Sequence, residues 1–298
     1  MTFDPAWPGL PLDEWRDTNE TLHRWTQIVG KIALALTPKI NHWWNVAFAV
    51  TDRGLAAPLM RFEGCPLGME FDFAAHVLRA RVPGAGERAI PLAPKSVAAM
   101  HREIFESLAA LGVRPRIWNV PVEIDDPIPL DRDETHRAYD REPVERFHRI
   151  LARTHAVFSD FRSGFLGKCS PVQFYWGSFD LAVTRFSGRP APPRPDADAI
   201  TREAYSHEVS SVGFWPGDAR LPLPAFYSYA APEPPGFREA RVSPPSACYH
   251  PTLAGFYLHY DEVRRASDPE AMLLDFCRSV YAAAADAGRW DRAALERK

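Results

Sequence analysis

The sequence predicts an α+β protein made of two related halves, each consisting of a helix, an antiparallel meander and a second helix. Three observations lead to this expectation. Long segments carry apolar residues at three- and four-residue spacing, the period of a helix with one buried face. Between them lie short stretches rich in β-branched and aromatic residues, separated by glycine, proline and aspartate turns. Short sequence matches also recur, in the same order, in both halves.

The first half opens with Asp17-Thr-Asn-Glu20, a capping-box pattern ahead of Leu22, Trp25, Val29, Ile32 and Leu36. This predicts a helix ending at Pro38. Strand character follows over 42–51, 56–62, 69–74 and 77–82, broken at Asp52-Arg-Gly54, Gly64-Cys-Pro66 and Pro83-Gly84. A helix over 95–111 carries Val97, Met100, Ile104, Leu108 and Leu111 and stops at Gly112, a C-terminal capping glycine. Ile117 to Ile124 reads as a strand, placed near an edge by Pro121.

The pattern then restarts. Asp140 and Pro143 open a helix over 142–162 with Val144, Phe147, Ile150, Leu151, Val157 and Phe158 on one side. Strands are expected over 171–186, 207–214, 225–231 and 254–260. Asp268-Pro269 then launches a last helix that runs to Gly288. Leu22-His-Arg-Trp25 matches Phe147-His-Arg-Ile150. Trp43, followed by Ala49-Val-Thr51, matches Trp176, followed by Ala182-Val-Thr184, and Ala99-Met100 answers Ala271-Met272. These matches favour duplication: one structural unit over 1–298, with a first repeat over 1–114 and a second over 115–298. The second repeat contains proline-rich loops over 189–200 and 232–247. With 117–124 as a lead strand, each half resembles a TATA-binding-protein-like unit. The expected architecture is then one continuous sheet with helices on one face, an analogy of fold that carries no function.

Composition narrows the function classes. The chain has 298 residues, 46% hydrophobic and 24% charged, which is globular and long enough for a large core. A net charge of -3 without a basic cluster argues against nucleic acid as a partner. The start, Met1-Thr-Phe-Asp-Pro-Ala-Trp-Pro8, lacks the pattern of a signal peptide, and no apolar run reaches membrane-helix length. A cytoplasmic protein without membrane association is therefore expected, and nothing indicates its oligomeric state. Cys65, Cys169, Cys248 and Cys277 are scattered without metal-like spacing, so neither a disulfide framework nor a metal site is expected. Signatures of cofactor-dependent redox chemistry, nucleotide hydrolysis and serine or zinc hydrolysis are missing, and no cofactor is expected.

Candidate site residues follow from strand alternation. Trp44, Val46, Phe48 and Val50, with Phe179, Leu181 and Val183 in the second half, are expected to face the helices. The opposite face would carry Trp43, Asn45, Ala47, Ala49 and Thr51, and at matching positions Trp176, Ser178, Asp180, Ala182 and Thr184. Two indoles, small residues and sparse polar groups suit a small-molecule site, although the same surface would also suit packing on loops. Tyr205, His207 and Ser211 share a face; His207 has the proton affinity of an acid or base near neutrality, but a lone histidine is more often structural. Tyr227 and Tyr229 share a strand face and offer hydroxyls. Lys168 offers a single cation, and Arg185 with Arg189 suits a carboxylate or phosphate, or ordinary pairing with acidic neighbours. His23, Gln27 and Lys31 recur every four residues, as the wet side of a helix would.

Trp25-Thr-Gln-Ile-Val-Gly-Lys31, Asn41-His-Trp-Trp44, the run from Val172 to Gly188, Tyr205-Ser-His-Glu208, Gly213-Phe-Trp-Pro-Gly217 and Ala225-Phe-Tyr-Ser-Tyr229 together resemble a bacterial family of about three-hundred-residue proteins known only as a domain of unknown function. The resemblance runs nearly end to end and implies one unit over the whole chain. It supplies no activity and no catalytic residue. The leading expectation is thus a small-molecule site on the helix-free face. In an enzyme, Asp180 or His207 would move a proton, Lys168 or Arg185 would hold an anion, and Trp43 and Trp176 would wall the substrate. The alternative is a non-catalytic interaction or scaffold protein that uses the same face.

Overall fold

The computed structural model describes residues 7–125 and 127–297. Most of the N-terminal stretch read for a signal peptide, residues 1–6, lies outside the described residues. The first helix, α1 (Leu12–Leu36), begins well before the capping box, with Pro11 extended at its N-cap and Asp13 and Glu14 in the first turn. Asp17 to Glu20 therefore lies inside the helix. The apolar stripe continues backward through Leu12 and Trp15, both buried, and burial of that extra turn outweighs the local capping preference. The helix ends where expected, because Thr37 precedes Pro38 and is forced into extended backbone.

The first sheet comprises β1 (Ala49–Val50), β2 (Gly54–Ala56), β3 (Met60–Phe62), β4 (Cys65–Asp72), β5 (Val77–Val82) and β6 (Gly86–Pro91). It is antiparallel in the order β1-β2-β4-β5-β6, with β3 also pairing β4. Met69, Phe71, Leu78 and Ala80 point into the core. Helix α2 (Val97–Ala110), capped by the Ser96 hydroxyl, packs against α1 and β6. The other face is a ladder of charges: Arg79 reaches Asp72 at 3.1 Å and Glu87 at 2.7 Å, and Arg81 reaches Glu87 at 2.6 Å.

The expected strand over 42–51 is largely absent. Asn41–Trp43 forms a 3-10 turn in which His42 and Trp43 have φ of 56° and 61°, so alternation cannot run through it. The faces of the paired indoles are consequently exchanged. Trp43 packs on the main core, whereas Trp44, expected beneath the helices, lies with Phe186, Tyr205 and Tyr229 on the other side.

The second half contains α3 (Arg141–Ser163), β7 (Gln173–Tyr175), β8 (Asp180–Pro190), α4 (Ala199–Ala204), β9 (His207–Trp215), β10 (Ala225–Ala231), β11 (Cys248–His250) and β12 (Gly255–His259). It closes with α5 (Tyr260–Arg264), α6 (Pro269–Ala287) and α7 (Arg292–Leu295). Asp140 and Asp268 cap α3 and α6 as expected. The sheet is antiparallel in the order β7-β8-β9-β10-β12-β11, and α3 and α6 pack on one of its faces. The strand expected over 171–186 is divided by a turn at 176–179, where Phe179 takes φ 60°.

The fold is thus α+β with two antiparallel sheets, where one continuous layer was expected. Their neighbouring edges meet at a single bridge in which Phe48 and Phe174 exchange two backbone hydrogen bonds of 2.8 Å each. The lead strand expected over 117–124, on which the TATA-binding-protein analogy rested, does not form. Pro121 has no N–H to donate, Glu123 sits at φ 55°, and the Val122 backbone is paired by a side chain instead. The Gln27 amide donates to Val122 O at 2.8 Å and accepts from Val122 N at 2.9 Å. None of the helices among the described residues is long and apolar enough to cross a membrane.

Gly30 on α1 gives a direct test of the packing between halves, since any Cβ there would overlap the Trp176 ring. Gly30→Val is expected to destabilise the fold by about 1–3 kcal/mol, the usual cost of overpacking. Urea denaturation measures it, and an unchanged midpoint would show that α1 does not bear on Trp176.

Candidate functional site

The face of the second sheet turned away from α3 and α6 is unlike its counterpart on the first. Register places Ala182, Gly213 and Tyr227 in one row, and Thr184, Ser211 and Tyr229 in the next. Tyr257 pairs with Tyr227 from β12, and Tyr175 pairs with Asp180 from β7. A half-buried tyrosine patch with hydroxyls and a carboxylate therefore replaces the charge ladder.

Gly213 explains how the patch closes on Asp180. A side chain at this position would collide with the Tyr227 ring, so only a glycine lets that ring lie across β9. The Tyr227 hydroxyl then donates to Asp180 Oδ2, and the Ser178 hydroxyl donates to Oδ1. Behind this pair, the Tyr205 and Tyr229 hydroxyls meet at 3.0 Å and Thr184 Oγ1 meets Ser211 Oγ at 2.9 Å. Tyr227 and Tyr229 stack with centroids 6.1 Å apart and planes 11° apart.

The electrostatics are unusual for a surface of a folded protein. Asp180 is buried and makes no ion pair among the described residues, and burial raises its proton affinity against the two hydroxyls that hold it down. Glu123 belongs to the loop over Gly177, and among the described residues it makes no hydrogen bond or ion pair. Glu123 is exposed as a residue, but its carboxyl lies against Gly177. Desolvation first, and the Asp180 charge second, push it up to about 7. Burial likewise raises Tyr227 and Tyr229 well above the ordinary phenol range, so both stay neutral donors. Two residues beside the carboxyls, Glu123 itself and Phe179, adopt left-handed backbone at φ 55° and 60°. Such strain costs on the order of 1–3 kcal/mol per residue and collects at functional sites.

The candidates named from sequence divide into three groups. Asp180, Ser178, Tyr205, Tyr227 and Tyr229 come together. Lys168 and His207 occupy the far end of the same face: Lys168 Nζ lies 5.7 Å from the Trp44 ring and 5.3 Å from Phe186, and His207 lies 5.9 Å from His42. His207 opens β9 and Asp180 opens β8, and the strands are antiparallel, so these two stand at opposite ends and cannot share a proton directly.

The others do not reach the patch. Trp176 was expected to wall the site, but it is sealed beneath α1, with its Nε1 donating to Val46 O at 2.9 Å. Asn45 braces the turn after α1 through Thr37 Oγ1 at 2.9 Å and the Ile40 N–H at 3.2 Å. Trp43 lies beside Lys39, whose Nζ is 4.5 Å from the ring. Arg185 is on the helix-covered face, 4% exposed, with its guanidinium 3.5 Å from the Phe161 ring and 4.3 Å from Tyr281. The cause is parity: Arg185 is an odd position on β8, Asp180 an even one.

The stripe His23, Gln27 and Lys31 is likewise not the wet side of α1. The turn at 176–179 and residues 117–123 cover it: His23 Nε2 donates to Gly177 O at 2.9 Å, Gln27 holds Val122, and Lys31 lies 5.2 Å from the Trp118 ring. Burial lowers His23 to about 4, so it is neutral, and brings Lys31 down to about 8.

Glu123, Tyr175, Gly213 and Tyr257 were not among the candidates read from sequence. Parity with Tyr227 along β12 would have found Tyr257 had the register been known. Nothing local marks Glu123, because it enters the site through a loop that looks like a strand. Surface hollows lie elsewhere. One of about 250 Å³ is bounded by Val209, Ala230, Pro232 and Trp290. Among the described residues no group of three or more histidine, cysteine, aspartate or glutamate side chains is arranged to hold a metal ion.

Set against known proteins, residues 7–297 match the model of a family described as a family of unknown function, DUF5996. No curated protein and no solved structure matches the chain.

The raised Glu123 carboxyl has a stability consequence whose sign is fixed. Its folded-state proton affinity exceeds the unfolded value, so the folded protein is favoured most below pH 4.5 and loses that contribution as pH rises toward and past 7. Glu123→Gln removes the buried charge. Its melting temperature is expected to exceed that of the parent at pH 8, with the gap closing by pH 4.5. Equal melting curves at pH 8 would show that Glu123 ionises like a solvent-exposed carboxyl.

Proposed function

Because the chain belongs to DUF5996, a family with no activity in its description, its own side chains must supply the reading, and we propose that it is a small-molecule-binding protein. The proposed site is the tyrosine patch around Asp180 on the second sheet. One observation carries the proposal: a buried carboxyl with no cationic partner among the described residues, held by the Ser178 and Tyr227 hydroxyls and flanked by a second raised carboxyl, Glu123. A protein that needed only a stable sheet would use apolar residues there, or pair the charge, because an uncompensated buried carboxyl lowers stability. Perturbed carboxyls beside strained backbone are a recurring mark of functional sites. Partly exposed aromatic walls with a few convergent polar groups match the way small ligands are held.

Within this reading the roles divide by position. Tyr227, Tyr229 and Tyr257 offer ring faces, and Tyr205 and Ser178 offer hydroxyls. Asp180 anchors the ligand's polar end. Glu123, ionising near neutrality, gives the site a group able to take or release a proton on a bound molecule, which is the property an enzyme in this family would use. Lys168 and His207 lie too far along the face to act on the same atoms, and would contact only an elongated ligand.

Thermal-shift screening against a metabolite library tests the site. Ligands that stabilise the parent are expected to lose their effect in both Asp180→Asn and Tyr229→Leu while still binding His207→Ala. Hits that persist unchanged in the first two variants would exclude the patch.

A further inference from the structure

The tyrosine patch carries more negative than positive charge, and this imbalance points to the chemistry of its ligand. Asp180 and Glu123 are two carboxyls with no ion pair among the described residues. Two guanidinium groups lie around the patch, and the charge of one, Arg220, partly offsets the rise at Glu123. Arg220 is bidentate to Asp218, at 2.9 and 2.8 Å, and lies 5.0 Å from the Trp215 ring; Arg194 lies 4.4 Å from the Tyr205 ring. These two arginines also show what the rim is suited to hold, because each places a planar cation over an aromatic face. Among the described residues the inner rings, Tyr227, Tyr229 and Tyr257, carry no such cation, although they are partly exposed and Tyr227 is bonded to Asp180.

Resting on the proposed binding site, we infer that the ligand is an organic cation, a quaternary ammonium or protonated amine, seated on the Tyr227–Tyr229–Tyr257 ring faces with its charge toward Asp180 and Glu123. Aromatic rings present negative π faces, and the carboxyls behind them ionise more readily beside a cation, so together they select a cation over a neutral molecule of equal shape. The tyrosines contribute as donors too, since their hydroxyls point to Asp180 and to one another and leave the rings edge-fixed. A cation also resolves the otherwise unfavourable burial of Asp180 by supplying the missing partner. An anionic ligand is disfavoured, because Arg220 is held by Asp218, Arg194 lies against the Tyr205 ring, and Lys168 lies at the other end of the face against Trp44 and Phe186.

The test compares tetramethylammonium and choline with 3,3-dimethyl-1-butanol, the neutral carbon isostere of choline, by isothermal titration calorimetry on the full-length protein. Choline is expected to bind about tenfold or more tightly than the isostere, the ratio for one partly desolvated cation–π contact. That preference should shrink to less than about threefold in Glu123→Gln and in Tyr257→Leu, which alter the rim without removing the buried Asp180 network. Melting curves confirm that both variants are folded. Equal binding of choline and the isostere would overturn the cation assignment while leaving the small-molecule site intact. Failure of both cations to bind would also overturn it, and library hits lost in Asp180→Asn would then show that the site takes another class. A preference that survives in both rim variants would place cation binding outside the patch and overturn the inference.

Discussion

The position of the Trp176 indole is the constraint on which the rest of the arrangement depends. Its ring lies on Gly30 of α1 and its N–H is bonded to Val46 O, so one side chain ties the first helix, the approach to the first sheet and the turn between β7 and β8. Next to it, the exchange of backbone hydrogen bonds between Phe48 and Phe174 joins the edges of the two sheets. The turn is thereby held rigidly enough to keep Phe179 in left-handed backbone. That ring is packed between Phe147, 5.4 Å away, and Phe174, 5.1 Å away. Asp180 follows immediately, and its position is set by this packing before any polar contact forms.

The two sheets solve the problem of an uncovered face differently. On the first, arginines and carboxylates alternate across β4, β5 and β6, and each charge remains solvated or paired, the ordinary outcome for an exposed antiparallel surface. On the second, tyrosines, serine and threonine hydroxyls and an unpaired carboxyl occupy the equivalent side, with Gly213 giving one ring room to cross a strand. The first arrangement suffices for stability and solubility. The second leaves Asp180 and Glu123 with raised proton affinities, which a stable sheet does not require.

The segment 117–123 links these features. It follows α2, covers the polar stripe of α1 and carries Glu123 to the edge of the patch. Its backbone is satisfied by the Gln27 amide, a side-chain substitute for a neighbouring strand, which is why a stretch with strand composition forms no strand. Trp118, 69% exposed, covers Lys31 from the solvent side of the same segment. The polar stripe on α1 therefore serves to anchor a loop, and burial keeps His23 neutral within it.

Much of this protein could be read from its residues alone. The α+β class, the spans of α2, α3 and α6 with their caps, the strands β5, β9, β10 and β12, and membership of a family of unknown function all rest on local signals: periodicity, capping side chains, turn residues and extended motifs. Tyr227 and Tyr229 were named from alternation along β10, a local property, whereas Ser178 lies in the turn at 176–179 and Tyr205 at the end of α4, where alternation does not apply. Tertiary structure alone decided which way Trp43 and Trp44 face, since two left-handed residues broke the alternation between them. It decided that Trp176 lies beneath α1 and that Arg185 is sandwiched by rings, because burial depends on which helix covers a strand end. It alone brought Glu123 to Asp180, across a sequence separation in which neither residue carries any mark of the other. Covalent neighbours and side-chain periods are encoded residue by residue, whereas register, coverage and the meeting of distant charges arise only when the whole chain packs.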